Sequence, residues 1–316
     1  MLAMSMSTIP AALVKKLRDQ TGAPMMECKR ALGAEGVDGD LEKAVDYLRK
    51  SGVDAANKRS GRETSQGLVT AVSSSCARYG VVLELNSETD FVARNELFQD
   101  AVSSFAQTAM ELAAAAPDGE SMDLMEEISK ATPQGSEAGT TVADAVKELS
   151  ANVRENVVLR RCMTVAAPPG GFVASYVHND FGRGAGTMGC VVAFNCQPEG
   201  SHPTEAGEEG FNVAMHVAAA KPQFATADRI PSETLEHERE VFSTQALSEG
   251  KPEKIVPKIV DGKIRKWMEG CVLQEQPYIL SEDGHSVGAV LTDFAKSNSM
   301  EEFSVADFAR FELGED

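Results

Sequence analysis

The segment Val81-Val-Leu-Glu-Leu-Asn86-Ser-Glu-Thr-Asp90-Phe91-Val-Ala-Arg94-Asn95 decides the fold. Its first part, Val81–Leu85, is an apolar run of strand length. Leu68–Val72 is a second such run, and the turn-rich stretch SSSCARYG between them predicts a β-hairpin. After Glu88-Thr89-Asp90-Phe91 the period changes. Leu97, Ala101, Phe105, Ala109 and Leu112 recur at helical spacing and predict a long helix. The segment is therefore a strand-to-helix corner with a large aromatic beside an acid. Two readings are open there. Either Asp90 or Asn95 caps the helix while Phe91 packs inward, or the corner holds Phe91 outward as a rigid anchor for a partner.

Toward the N-terminus, residues 8–54 read as three short helices. Pro10 opens the first, Leu13 and Leu17 share a face, and Gly22 ends it. Pro24 opens the second, whose apolar stripe is Met25, Cys28 and Leu32, with Gly36 after it. Asp40 caps the third, which carries Leu41, Ala44, Val45 and Leu48 on one face and Gly52 as its stop. So small a core is marginal alone, so the head is expected to lean on a partner or bind one. The polar, basic residues 55–65 read as a linker.

Toward the C-terminus, residues 66–166 and 167–316 read as two halves of a core. Residues 117–140 are polar and rich in Gly, Pro and Ser, and read as a mobile insertion. A helix is expected at 142–156, then strands at Val157–Ala166, Phe172–Val177 and Gly189–Cys196, with the turn Pro168-Pro-Gly-Gly171 between the first two. Residues 209–221 read as a helix of small residues. Residues 232–250 and 253–268 form a helical hairpin, 232–268, in which Pro257 should kink or restart the second arm. A helix at Ser286–Lys296 and a strand at Phe303–Leu313 end the chain. VVLELN (81–86) and CVVAFN (190–195) echo one another, which suggests two related α+β halves.

Composition excludes several function classes. The 316 residues carry 30 Lys+Arg against 48 Asp+Glu, a net charge of −18 that repels phosphate backbones and anionic lipid. No direct nucleic-acid or membrane contact is expected, and no apolar run approaches a membrane span. Residues 1–62 hold 11 basic against 8 acidic residues, so a head of net +3 sits on a body of net −21. The six cysteines form no C-x-x-C and the five histidines no paired metal spacing, so reduced thiols and no metal are expected. Gly184, Gly186 and Gly189 match G-x-G-x-x-G, but strands flank them on both sides, so a flexible hairpin loop is the better reading than a dinucleotide site. No P-loop, H-E-x-x-H or G-x-S-x-G occurs. His216 lies on the Ala-rich helix, where a packed core or interface role is expected. His202, His237 and His285 read as surface residues.

Thr89-Asp-Phe-Val-Ala-Arg-Asn95 resembles the TDFVA[KR]N signature of the elongation factor Ts family, the guanine-nucleotide exchange factors of elongation factor Tu. Leu13-Val-Lys-Lys-Leu-Arg18, Thr21-Gly-Ala23, Met25-Met26 and Cys28-Lys29-Arg-Ala-Leu32 resemble the family's opening. Ser51-Gly52, Glu155-Asn156, Arg160-Arg161, Ser175-Tyr-Val-His178, Ala214-Met-His-Val217, Lys221-Pro222, Phe311-Glu312 and Gly314-Glu315 continue the match in order.

The resemblance implies an α+β fold: a ubiquitin-associated-like three-helix head, two subdomains each with a small antiparallel sheet flanked by helices, and a protruding helical hairpin. It implies elongation factor Tu, nucleotide-free or GDP-bound, as partner, and no cofactor. The head would dock on the G domain of Tu. Asp90-Phe91 would enter beside its switch region, with the phenylalanine between two Tu histidines, displacing what holds Mg²⁺ and the phosphates. The implied contact set is Thr89, Asp90, Phe91, Val92, Arg94 and Asn95, with Met25, Met26, Lys29 and Lys50 of the head and His178 and His216 of the second half. Arg94 and Ser87 depart tolerably from the family pattern. Pro257 makes the hairpin less regular than in members that dimerise through it, so a homodimer or 2:2 complex stays open. Arg59–Leu68, Pro168–Phe172 and Ala306–Phe311 look organellar and point to the mitochondrial matrix. The competing readings are a ubiquitin-associated adaptor without exchange activity and an enzyme using His178 or His216 near Cys190. Exchange breaks no covalent bond, so the absence of nucleophile–base motifs favours the exchange factor.

Overall fold

The computed structural model describes residues 9–21, 23–116, 121–136, 139–198 and 204–315. His202 lies outside them. In chain order the elements are α1 (Ala11–Thr21), α2 (Met25–Leu32), α3 (Leu41–Arg59), β1 (Gln66–Ser73), β2 (Tyr79–Ser87), α4 (Asp90–Ala93), α5 (Glu96–Ala115), β3 (Met122–Asp123), α6 (Met125–Lys130), α7 (Val142–Val153), β4 (Val157–Ala166), β5 (Phe172–His178), β6 (Ala185–Gly186), β7 (Met188–Gln197), α8 (Thr204–Ala220), α9 (Ser232–Ser248), α10 (Val256–Cys271), α11 (Val287–Ser297) and β8 (Glu302–Glu312). The fold is α+β.

Two antiparallel sheets form the core, in the orders β3-β4-β2-β1-β6 and β5-β7-β8. The echoing segments are the central strands, β2 and β7. Each is covered on both faces, which is why each reads as a nearly continuous apolar run rather than an alternating one. Alternate residues face opposite ways. Val81, Leu83 and Leu85 meet Phe98, Val102 and Phe105 of α5, while Val82 joins Val69 and Ala71 in facing the second sheet. In β7, Cys190, Val192 and Phe194 meet α8 and α11, while Val191 and Ala193 face the first sheet. The result is a helix–sheet–sheet–helix stack. Burying Phe98 and Phe105 completely contributes about 2–3 kcal/mol each.

The sheets are stitched together in two ways. β6 follows β5 of the second sheet yet pairs with β1 of the first, Val69 opposite Gly186 and Thr70 opposite Ala185. The second stitch is ionic. Glu84 stands in the middle of β2, fully buried. Arg160 Nη1 lies 3.3 Å from it, Arg161 Nε 2.7 Å, and Arg161 Nη2 also bonds it. The Arg161 guanidinium covers the Phe311 ring at 4.3 Å and donates to the Glu312 carbonyl in β8 at 3.0 Å.

Several expectations need correction. Gly52 does not end α3, which continues to Arg59, so the helix takes up much of the expected 55–65 linker. Met25 does not belong to the buried stripe of α2; Cys28, Ala31 and Leu32 do, joined by Val37. On α5 the buried face begins at Phe98, and Leu97 is 56% exposed. Residues 117–140 are not a loose insertion throughout. Leu124 and Ile128 are buried against the α5 cluster, and β3 pairs with β4. Of the two effects expected of Pro257, the structure shows the restart and not the kink: α10 begins at Val256, not at 253, with Pro257 in its first turn, where a missing N–H costs nothing. Arms α9 and α10 enclose a small core of Ala246, Val256, Val260 and Ile264.

Candidate surface for a protein partner

The corner is built from the inside out. Asn95 caps α5, its side chain accepting from the Leu97 N–H at 2.9 Å. The single turn α4 buries Val92 (9% exposed) and Ala93 (4%) against the first sheet's helix-facing core. One turn cannot bury every side, so Phe91 projects away and is 80% exposed. Of the two readings, Asn95 caps and Phe91 points outward. Asp90 and Arg94 are exposed neighbours, 3.8 Å apart.

The corner is braced from three sides. Ser87 Oγ donates to the Thr89 carbonyl at 2.9 Å. Glu155 accepts from both the N–H and the hydroxyl of Thr89, and Glu88 accepts from the Asn156 N–H at 2.6 Å. From the second half comes the loop after β5. Asp180 Oδ1 accepts from the N–H groups of Gly182, Arg183 and Gly184, and Arg183 pairs with Asp100 on α5. That loop, expected to be flexible, is therefore pinned. It places Phe181 (38% exposed) under the Arg94 guanidinium, 5.1 Å from ring centre. Gly186 permits this crossing, since a Cβ there would lie 2.2 Å from the His178 carbonyl oxygen. Gly186→Ala should displace the loop and cost about 1–3 kcal/mol of stability. Chemical denaturation, together with loss of Phe181 protection in a surface-labelling experiment, would check this.

His178 ends β5, exposed, with Nδ1 2.9 Å from the Tyr176 hydroxyl. On the head, Met25 (45%) and Met26 (73%) are exposed with Lys29 on α2, and Lys50 is exposed on α3. Glu27, on the same short α2, lies 3.0 Å from Arg154, whose neighbour Glu155 braces Thr89. The methionine patch and the Phe91 corner thus flank one junction.

His216 must be removed from the candidate contact set. It is fully buried, donating from Nε2 to Gln276 Oε1 at 3.1 Å and accepting the Ile279 N–H at Nδ1 at 3.3 Å. Burial holds its pKa below the usual histidine value. The neutral ring is the one that fits, because a proton on Nδ1 would face the Ile279 N–H. The unfolded chain takes up the proton first, near pH 6.5. Stability should therefore be flat above that pH and fall below it, by at most about 1.4 kcal/mol per pH unit from this group. Melting curves from pH 5 to 7.5 on the wild type and His216→Gln test this, the variant losing that part of the slope. Cys190, the thiol of the enzyme reading, is buried and pushed up to about 12 by desolvation, with Sγ on the Ala214 carbonyl at 3.0 Å. It offers no nucleophile to solvent.

Phe181, Glu88 and Glu155 were missed as parts of this surface. The aromatic in the Gly-rich DFGRG stretch was the available signal for Phe181. Nothing local marks the two glutamates, since each acts on a segment 66 or 68 residues away.

Residues 88–315 match the family model described as "Elongation factor TS". Proteins named elongation factor Ts are similar over nearly the whole chain. That of Maricaulis maris is 43% identical over 313 residues, 98% of this chain and 93% of its own. That of Rhodospirillum rubrum is 41% identical over 310 residues, 98% and 94%. That of Agrobacterium fabrum is 39% identical over 310 residues, with the same coverage.

Proposed function

The chain belongs to the elongation factor Ts family, and on that premise we propose that it binds elongation factor Tu·GDP and drives out the nucleotide with the Asp90-Phe91 corner. Family membership carries the role in translation elongation. The finer steps rest on the resemblance and on one observation: Phe91 is held 80% exposed on a corner whose neighbours Val92 and Ala93 are anchored in the core.

The head docks on the G domain of Tu through the α2 face of Met25, Met26 and Lys29, with Lys50 of α3. Phe91 wedges beside the switch region and Asp90 accompanies it, loosening the elements around Mg²⁺ and the phosphates. Thr89, Val92 and Asn95 serve as the frame, Arg94 flanks the wedge, and His178 meets a second Tu domain. The physics is differential binding. A factor that prefers nucleotide-free Tu must, by linkage, weaken nucleotide binding by the same ratio. A wedge that fits only the loosened nucleotide site supplies that difference. No group needs to transfer a proton or form a bond, and the work is done by packing energy.

We place the chain wherever its Tu resides. The mitochondrial reading rests on the three organellar-like stretches alone, and the relatives named above are bacterial. Affinity measurements on nucleotide-free and GDP-loaded Tu test the proposal. Tighter binding to the empty form is expected. Equal affinity for both forms, or recovery of ubiquitin instead of Tu from a mixture, would favour the adaptor.

A further inference from the structure

We infer that Glu155 is the positioning residue that holds the Phe91 corner in its working orientation, from a junction that also ties down the head. The inference rests on the exchange reading above.

Four residues cannot sustain a helix by their own hydrogen bonds, because nucleation is unfavourable. α4 therefore takes its direction from what grips its ends. Thr89 is its N-cap residue, yet the hydroxyl makes no cap bond. It is diverted to Glu155 Oε1 at 2.7 Å, while Oε2 takes the Thr89 N–H at 2.9 Å. One carboxylate thus fixes both the backbone and the side chain two residues before Phe91. Charge-assisted bonds of this kind are about twice as strong as neutral ones.

Glu155 is itself fixed. Its carbonyl accepts from Ser150 Oγ at 2.6 Å, and the Ser150 carbonyl accepts from Arg59 at the end of α3 at 3.1 Å. The residues on either side reach elsewhere. Arg154, in the left-handed conformation that ends α7, holds Glu27 of the head. Asn156 donates its N–H to Glu88 and its side-chain amide to the Arg62 carbonyl at 2.8 Å. Arg62 in turn reaches Glu88 at 3.3 Å. Three consecutive residues therefore grip the head, the corner and the chain that joins them. Glu155 is the member that acts on the wedge, through Thr89.

The test uses the full chain and Tu·GDP. Glu155→Ala should lower the plateau rate of GDP release at saturating factor by about tenfold, the worth of a charge-assisted bond. A mere loss of folded protein would instead raise the concentration needed and leave the plateau. Glu155→Gln keeps an acceptor for the Thr89 N–H and should restore most of the rate. On a Phe91→Ala background, Glu155→Ala should add little, because both act through one element. In the free chain, amides 88–93 should exchange faster in Glu155→Ala than in wild type or Glu155→Gln. An unchanged plateau, or a full further loss on the Phe91→Ala background, would overturn the inference. Wild-type chain that fails to speed release sinks the exchange reading instead, and the amide exchange still reports whether Glu155 holds the corner.

Discussion

Phe91→Ala should leave the protein as stable as before and cut its acceleration of GDP release from Tu by roughly 30-fold or more. The two halves of this expectation come from the same geometry. An exposed side chain contributes little to the folded state, so truncation should change unfolding free energy by less than about 0.5 kcal/mol. Val92 and Ala93 still anchor the turn, and Glu155 still holds Thr89. The cost appears only in the complex. An aromatic anchor removed from a desolvated pocket costs about 2–4 kcal/mol, which sets the fold-loss given. Stopped-flow release of fluorescent GDP at subsaturating factor measures it, with a thermal melt as control. A variant that melts normally and exchanges normally would show that the ring is not the wedge.

Glu84→Gln should be the most destabilising isosteric change in the core, by about 3 kcal/mol. Its carboxylate is fully buried between two guanidiniums. Removing one partner of such a cluster leaves the other charges poorly compensated, at about 3–5 kcal/mol for wholly buried groups. Arg160 and Arg161 keep 29% and 23% of their side-chain surface, so the lower end applies. Arg161 also bridges to Phe311 and Glu312 of the second sheet, so loosening it should weaken the contact between sheets. Denaturation midpoints measure the loss, and the double change with Arg161→Met should recover part of it by removing the orphaned charge. A midpoint unchanged in Glu84→Gln would contradict this.

The central strands were legible because burial on both faces leaves a nearly continuous apolar run. β4 was placed to the residue although Arg160 and Arg161 interrupt it and Val158 is exposed, because its apolar ends Val157–Leu159 and Val165–Ala166 bound it. The errors have physical causes. Leu97 and Phe98 are adjacent hydrophobes, and period alone could not choose between them until Asn95 set the cap. A glycine costs a helix only about 1 kcal/mol, so Gly52 could not stop α3 against the helix formers beyond it. Leu124 and Ile128, four apart, were hidden in a polar stretch rich in Pro, Gly and Ser. The corner itself was legible as a corner. Which way Phe91 faced was not, because that depends on Val92 and Ala93 winning the core. The carboxylate braces were invisible because they join segments distant in sequence.

Release of fluorescent GDP from elongation factor Tu, followed as this chain is added, tests the exchange mechanism most directly. A saturable rise in release rate is predicted, reaching its plateau with the wild type and cut by roughly 30-fold or more with Phe91→Ala. A release rate that stays at its spontaneous value, while the chain is seen to bind the same Tu, would contradict it.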